Sequence, residues 1–332
     1  MSFIIELDRK NKTYQPGDKI TCKVEITFEA PVKVRCIAVR FHGFAATEWT
    51  KVKSGRGKKR IKTYAAYEEY FRTYNDLTGE RGGPELELPA GRNVYPVEFT
   101  LPLCLPSSFQ GLHGGVHYTI KAKIEADGDF CKSLKEEFHI ESPLDLNLYP
   151  MTKEQQKIEE IKYFCCWCCR SGPLTLVTTV PRTGYLPGEK VNFLVECDNV
   201  SRIDVLSIKV FLREIQTYRS TSPRINTKVH EELVAEVEFD EGVKSNDTKT
   251  YKGELAIPHE KVKNLKNCTL IDVDYEVYAI AEVNKLHMDL ENKLPITLGN
   301  IAFATTPSDV IVSGHKPKST KSGSIPFIDS TD

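Results

Sequence analysis

Tyr14-Gln15-Pro16-Gly17-Asp18-Lys19-Ile20 returns 171 residues later as Tyr185-Leu186-Pro187-Gly188-Glu189-Lys190-Val191. The same offset carries Ile37, Val39 and Phe41 onto Ile208, Val210 and Leu212, with no gap across turn and strand. Further along, Val116-His117-Tyr118-Thr119-Ile120 corresponds to Val273-Asp274-Tyr275-Glu276-Val277. Each of these is preceded by a Pro-bearing apolar stretch, Phe99 to Pro102 and Leu255 to Pro258. A repeat of this length and order means two homologous domains in tandem. Pro presets its own backbone dihedral and Gly accepts turn geometry that other residues resist, so each Tyr-x-Pro-Gly unit closes a connection and opens a strand.

Around both units the apolar period is two: Ile20, Cys22, Val24, Ile26, Phe28, and again Val191, Phe193, Val195, Cys197. Ile37, Val39, Phe41 and Leu206, Ile208, Val210, Leu212 alternate in the same way. Such alternation marks half-buried strands. Helix-period stretches are nearly absent, the chief exception being Thr152 to Phe164, which is rich in helix formers. The expected fold class is therefore all-β, with two tandem antiparallel β-sandwich domains. The boundaries are expected at residues 1–145 for the first, 146–171 for a linker with a helical turn, and 172–305 for the second. Residues 306–332, rich in Ser, Thr, Pro, Gly and Lys, are expected to form a disordered tail, because they offer too little apolar surface to offset the entropy of ordering.

The 332 residues carry 45 Lys+Arg and 46 Asp+Glu, a net charge of -1, so no global field draws the chain to nucleic acid or anionic lipid. The first ten residues reach charge too soon for a signal peptide, and no apolar run approaches the roughly 18 residues of a membrane span. A cytoplasmic chain with free thiols is expected, its six scattered cysteines serving mostly as small apolar fillers.

Catalytic patterns fail on spacing. His230-Glu231 and His259-Glu260 open like zinc-protease motifs, yet Val234 and Lys263 stand where the second His belongs. There is no Gly-x-Ser-x-Gly elbow, and Gly55-Arg56-Gly57-Lys58-Lys59 lacks the spacing of a phosphate loop. No enzyme activity, cofactor or metal is expected. Cys165, Cys166, Cys168 and Cys169 surround Trp167 without a second ligand pair at zinc spacing, which leaves S-palmitoylation of a membrane-facing linker as the candidate role beside burial at the domain junction.

Two basic clusters are candidates for phosphate or lipid binding. Lys51 to Lys62 holds seven cations and no anion, with Lys58, Lys59 and Arg60 beside glycines that suggest a hairpin tip. Arg9, Lys10 and Lys12 sit beside the first turn, where a basic edge could take a phosphate by charge-assisted hydrogen bonds. The plain reading of both clusters is solvated charge that guards a sheet edge.

With Tyr14-x-Pro-Gly-Asp18, Leu105-Pro106-Ser107-Ser108-Phe109-Gln110-Gly111, Tyr118-Thr119-Ile120-Lys121-Ala122, Cys168-Cys169-Arg170-Ser171-Gly172-Pro173-Leu174 and Thr183-Gly184-Tyr185-Leu186-Pro187-Gly188, the chain resembles the arrestin-domain-containing proteins, the α-arrestins. The likeness spans roughly residues 3 to 305 in order. Two departures stand out: His117 precedes Tyr118 where the family would carry Arg, and residues 306–332 hold no Pro-Pro-x-Tyr motif. The resemblance implies two arrestin-type, immunoglobulin-like sandwiches. It also implies an adaptor that binds cytoplasmic parts of membrane receptors or transporters and directs their endocytosis, sorting or ubiquitination at the plasma membrane or endosomes. The alternatives it carries are a non-catalytic scaffold and a redox-linked protein-binding module. The 18 prolines include no adjacent pair, so a ubiquitin ligase with WW domains is expected to be reached only through another protein.

Overall fold

The computed structural model describes residues 1–55, 58–126, 131–166, 169–259, 265–284 and 286–304, without the side chains of 53–55, 58–59, 165–166 and 169–171. The expected tail, 306–332, lies outside the described residues.

Among the described residues, the first half forms twelve strands and the second nine. Those of the first are β1 (Ser2–Leu7), β2 (Thr13–Tyr14), β3 (Lys19–Phe28), β4 (Val32–Val34), β5 (Cys36–Gly55) and β6 (Lys58–Arg72), followed by β7 (Asn75–Gly79), β8 (Leu86–Leu88), β9 (Gly91–Thr100), β10 (Phe109–Gly111), β11 (Gly114–Glu125) and β12 (Lys132–Ile140). Those of the second are β13 (Gln156–Cys166), β14 (Cys169–Val180), β15 (Gly184–Tyr185), β16 (Lys190–Asn199) and β17 (Val205–Ser220), then β18 (Asn226–Phe239), β19 (Asp247–Ala256), β20 (Ile271–Val283) and β21 (Leu290–Leu298). The helical turns among the described residues are short 3-10 segments at Leu146–Leu148 and Pro150–Lys153.

Both sandwiches follow one plan. The order β2-β12-β11-β5-β6 in the first returns as β15-β21-β20-β17-β18 in the second, and β1-β3-β9 returns inside β13-β14-β16-β19. The expected alternation is realised: Ile20, Cys22, Val24, Ile26 and Phe28 all face the first core, and Val191, Phe193, Val195 and Cys197 the second. Burying such a row supplies on the order of 1.5–3 kcal/mol for each large apolar side chain. Leu206 departs from the expected pattern and is 54% exposed. A register shift between Val205 and Ser207 inserts an extra residue into β17, so Val205 takes the inward place.

The two Tyr-x-Pro-Gly turns are closed by matching hydrogen bonds. Gly17 and Gly188 adopt φ of 85° and 83°, the left-handed region that favours glycine. Their N–H groups donate to Pro102 O at 3.1 Å and Ile257 O at 3.0 Å. Leu101 N and Ile257 N donate back to Asp18 O and Glu189 O, each at 2.9 Å. The Pro-bearing stretches seen in sequence therefore act as the partners that lock each turn.

One expectation is corrected. Thr152 to Phe164, read as linker with helix formers, is mostly strand: β13 pairs antiparallel with β14 from Gln156↔Val180 to Cys166↔Cys169. The helical turns come earlier. Backbone pairing to a neighbouring strand overrides the intrinsic preference of Glu, Lys and Gln, which is worth only tenths of a kcal/mol per residue.

Candidate interaction surfaces

At the first turn, the candidate cations meet carboxylates. Arg9 Nη1 donates to Asp18 Oδ2 at 2.7 Å and to Thr13 O at 3.0 Å, with its guanidinium 4.6 Å from the Tyr14 ring centre. The Gln15 backbone N–H, then Arg9, holds the Asp18 carboxyl below its usual range. Lys12 Nζ reaches Glu136 Oε2 at 2.7 Å across 124 residues of sequence. Lys10 is exposed and forms no ion pair among the described residues. The second turn repeats the device, with Arg182 bridging Glu189 at 2.9 Å and lying 4.8 Å from the Tyr185 ring centre. Sequence reasoning overlooked that Arg because it stands three residues before its Tyr instead of five.

The basic run occupies a long hairpin. β5 and β6 pair from His42↔Arg72 to Gly55↔Lys58, so the outer end of the described hairpin lies at Gly55 and Lys58. Arg60 is exposed, whereas the side chains of Lys58 and Lys59 lie outside the described residues. Just below the tip, the cross-strand pair Val52 and Ile61 stands 60% and 71% exposed, an apolar spot that the sequence reading did not single out. Lower still, Trp49 stacks on Tyr64 at 5.7 Å and 7°, with Lys51 and Lys62 Nζ 5.3 and 5.6 Å from the Tyr64 ring centre. Both aromatics are buried in the first core.

The base of the hairpin meets the second sandwich. Ala65 N–H donates to Ser222 O at 2.9 Å, and Thr221 and Ser222 N–H groups donate to Ala65 O at 3.1 and 3.0 Å. Thr47 Oγ1 donates to Arg219 O and Lys51 Nζ to Asn226 Oδ1, both at 2.6 Å. Tyr218, Leu265, Cys268, Leu270 and Ile271, all of the second half, are buried in the first core. Across the opposite end, Asp145 bridges to Ile301.

His117 packs against Phe44 with ring centres 5.4 Å apart, and burial pushes its pKa below the ordinary value. The position therefore favours a neutral ring where the family pattern would hold a cation. Cys22, Cys36, Cys197 and Cys268 are buried and Cys104 and Cys131 exposed. Burial raises the Cys22 and Cys36 thiols to about 11 and Cys197 to about 12, which suits fillers and not nucleophiles. Of the candidate lipidation residues, Cys165, Cys166 and Cys169 sit by backbone at the end of the β13–β14 hairpin. Their side chains, and all of Cys168, lie outside the described residues.

Residues 3–147 match the model of the arrestin (or S-antigen) N-terminal domain, and residues 170–303 match that of the C-terminal domain. The chain belongs to the arrestin-domain-containing proteins, as its motifs implied. It is 29% identical to arrestin domain-containing protein 17 of Caenorhabditis elegans over 98% of this chain and 76% of that protein. It is 27% identical to arrestin domain-containing protein 1 of Mus musculus over 92% of this chain and 65% of that protein. A further relative, arrestin domain-containing protein 4 of Homo sapiens, is 27% identical over 91% of this chain and 72% of its own length.

Proposed function

We propose that this protein is a non-catalytic cytoplasmic adaptor that binds the cytoplasmic parts of membrane receptors or transporters and directs their endocytosis, sorting or ubiquitination. The observation that carries the reading is the β5–β6 hairpin. Its base is hydrogen-bonded to the second sandwich, while its outer end presents the apolar Val52–Ile61 pair beside Arg60 and the Lys58–Lys59 segment. Exposed apolar residues rimmed by cations fit the boundary between anionic headgroups and acyl chains, where each Lys or Arg is worth about 1 kcal/mol. Membrane contact at this tip would hold the two sandwiches against the cytoplasmic face where cargo tails lie. A ubiquitin ligase would be recruited indirectly, since WW domains find no Pro-Pro-x-Tyr ligand in these 332 residues.

The combined variant Lys58→Glu, Lys59→Glu and Arg60→Glu tests the reading. It should lose binding to phosphoinositide vesicles at low salt while unfolding within about 0.5 kcal/mol of the parent, as exposed substitutions do. Undiminished binding would return the hairpin to a solvated edge. Proximity labelling in cells should recover receptors or transporters. A yield of cytoskeletal proteins or of thioredoxin alone would favour the scaffold or redox-linked alternatives.

A further inference from the structure

The outer face of the larger sheet of the first sandwich carries a row of like charges set by strand register. Arg40 on β5 lies opposite Lys121 on β11, and Lys121 opposite Lys135 on β12. Like charges placed directly opposite one another destabilise a sheet unless something counters them. The carboxylates nearby are already engaged. Glu137 is held by Lys135, Glu125 by Lys123 and Asp76 by Arg81, each at 2.9 Å, and Glu69 is held by Arg72 at 2.5 Å. Arg40 and Lys121 are left with no carboxylate partner among the described residues.

These two cations line a cavity of about 300 Å³, with Tyr74, Arg81, Lys123 and Glu125 on its other sides. Arg40 Nε is buried there without a hydrogen-bond partner, an expensive state for a charged donor. Its field is felt by its neighbours. Arg40 hydrogen-bonds to the Tyr74 hydroxyl and holds that phenol below its ordinary pKa. Burial, followed by the charges of Arg72 and Arg40, does the same to the His42 imidazole. Arg81 stands 4.5 Å from the Tyr74 ring centre and closes one wall.

We propose that the Arg40–Lys121 cavity is a binding site for the phosphoryl group of a phosphate monoester. Two uncountered cations match a dianion. The Arg40 guanidinium, which lines the cavity, carries its N–H donors in a fixed fork, and the lysine adds a point charge from the facing strand. Tyr74 and Lys123 line the same cavity. The phosphoryl group could arrive on a free small molecule or on a lipid headgroup, and the chemistry recognised is the same. The site is separate from the hairpin tip and does not depend on the adaptor reading.

The test uses the full chain and inorganic phosphate as probe, read by thermal unfolding against chloride at equal ionic strength. Phosphate should raise the unfolding midpoint of the parent in a saturable way. Lys121→Gln should weaken the apparent affinity about tenfold. Lys121→Glu, which supplies Arg40 with a carboxylate in place of the ligand, should unfold at a higher temperature than the parent and ignore phosphate. A parent midpoint equal in phosphate and chloride, or a Lys121→Glu variant with the parent's response, would overturn the proposal. Vesicles of phosphatidylcholine with and without a phosphatidylinositol monophosphate then identify the source. Binding that needs the headgroup and is lost in Lys121→Glu assigns the site to lipid. Phosphate-sensitive unfolding without vesicle binding assigns it to a soluble phosphate.

Discussion

The two sandwiches share a plan down to the hydrogen bonds of their Tyr-x-Pro-Gly turns, and differ at the position facing their second repeated tyrosine. In the first, Tyr118 lies opposite Gly43 and donates its hydroxyl to Pro106 O at 2.7 Å. Its ring packs against Phe71 and Phe138 at 5.9 and 5.8 Å, and an added Cβ at Gly43 would stand 2.7 Å from it. In the second, Tyr275 lies opposite Glu214, only 3% exposed, and donates to its Oε2 at 2.9 Å. Gln216 Nε2 donates to Glu214 Oε1 at 2.6 Å, and the Tyr218 hydroxyl donates in turn to Gln216. One ancestral tyrosine thus fills space in an apolar layer on one side and anchors a polar chain reaching the domain junction on the other. Repetition of backbone does not oblige repetition of chemistry.

Breaking the polar chain should have the largest effect. Glu214→Ala leaves two buried donors without acceptors and should cost about 3 kcal/mol, at roughly 1–3 kcal/mol for each stranded group. Glu214→Gln, which keeps shape and one acceptor, should cost about 1 kcal/mol by denaturant unfolding. Equal losses for the two would mean that packing, not hydrogen bonding, holds the position.

The apolar counterpart is next. Gly43→Ala drives a methyl group into the Phe71 and Tyr118 rings, 2.6 and 2.7 Å away, and should cost about 1–3 kcal/mol through overpacking. At about 2–4 °C per kcal/mol for domains of 150–250 residues, the melting point should fall visibly. A neutral result would show that the aromatic layer can slide.

The turns should respond alike and weakly. Arg9→Ala and Arg182→Ala each remove a partly exposed ion pair, worth at most about 1 kcal/mol, and their losses should agree within about 0.5 kcal/mol. A loss above 2 kcal/mol in one alone would break the equivalence. Acid sharpens the point. The Asp18 carboxyl titrates below its ordinary 3.8 because the Gln15 N–H and Arg9 favour its ionised form. Its stabilisation is therefore full above that value and disappears as the pH falls through the depressed one. Asp18→Asn should flatten that part of an acid-unfolding curve.

Much of the fold was legible because its signals are local: a turn with Pro and Gly, and apolar residues at every second place. β13 was not, because its inward positions are Gln156, Ile158, Lys162 and Phe164, where polar residues at alternate places hide a period of two. As an added edge it lies before β14, where the first sandwich simply ends at β1. The candidate sites were less legible still. Composition shows that Lys12 is basic, but not that Glu136 waits for it on another strand. Arg40 drew no notice and Lys121 entered only as part of a strand motif, since their juxtaposition depends on a register between residues 81 apart.

The hairpin of β5 and β6 is, in mechanical terms, a lever. Its fulcrum runs from Ala65, where both backbone polar groups are clasped by Thr221 and Ser222, to Lys51, whose Nζ holds Asn226, and its free arm runs from the facing Lys62 to Lys58, about 13 Å at 3.3 Å per residue. Because strand pairing is stiff along the chain, a load at the tip becomes torque at the seam between the sandwiches. Whatever seizes the tip therefore does work on the joint, and the joint angle and tip occupancy are linked by one reciprocal coupling.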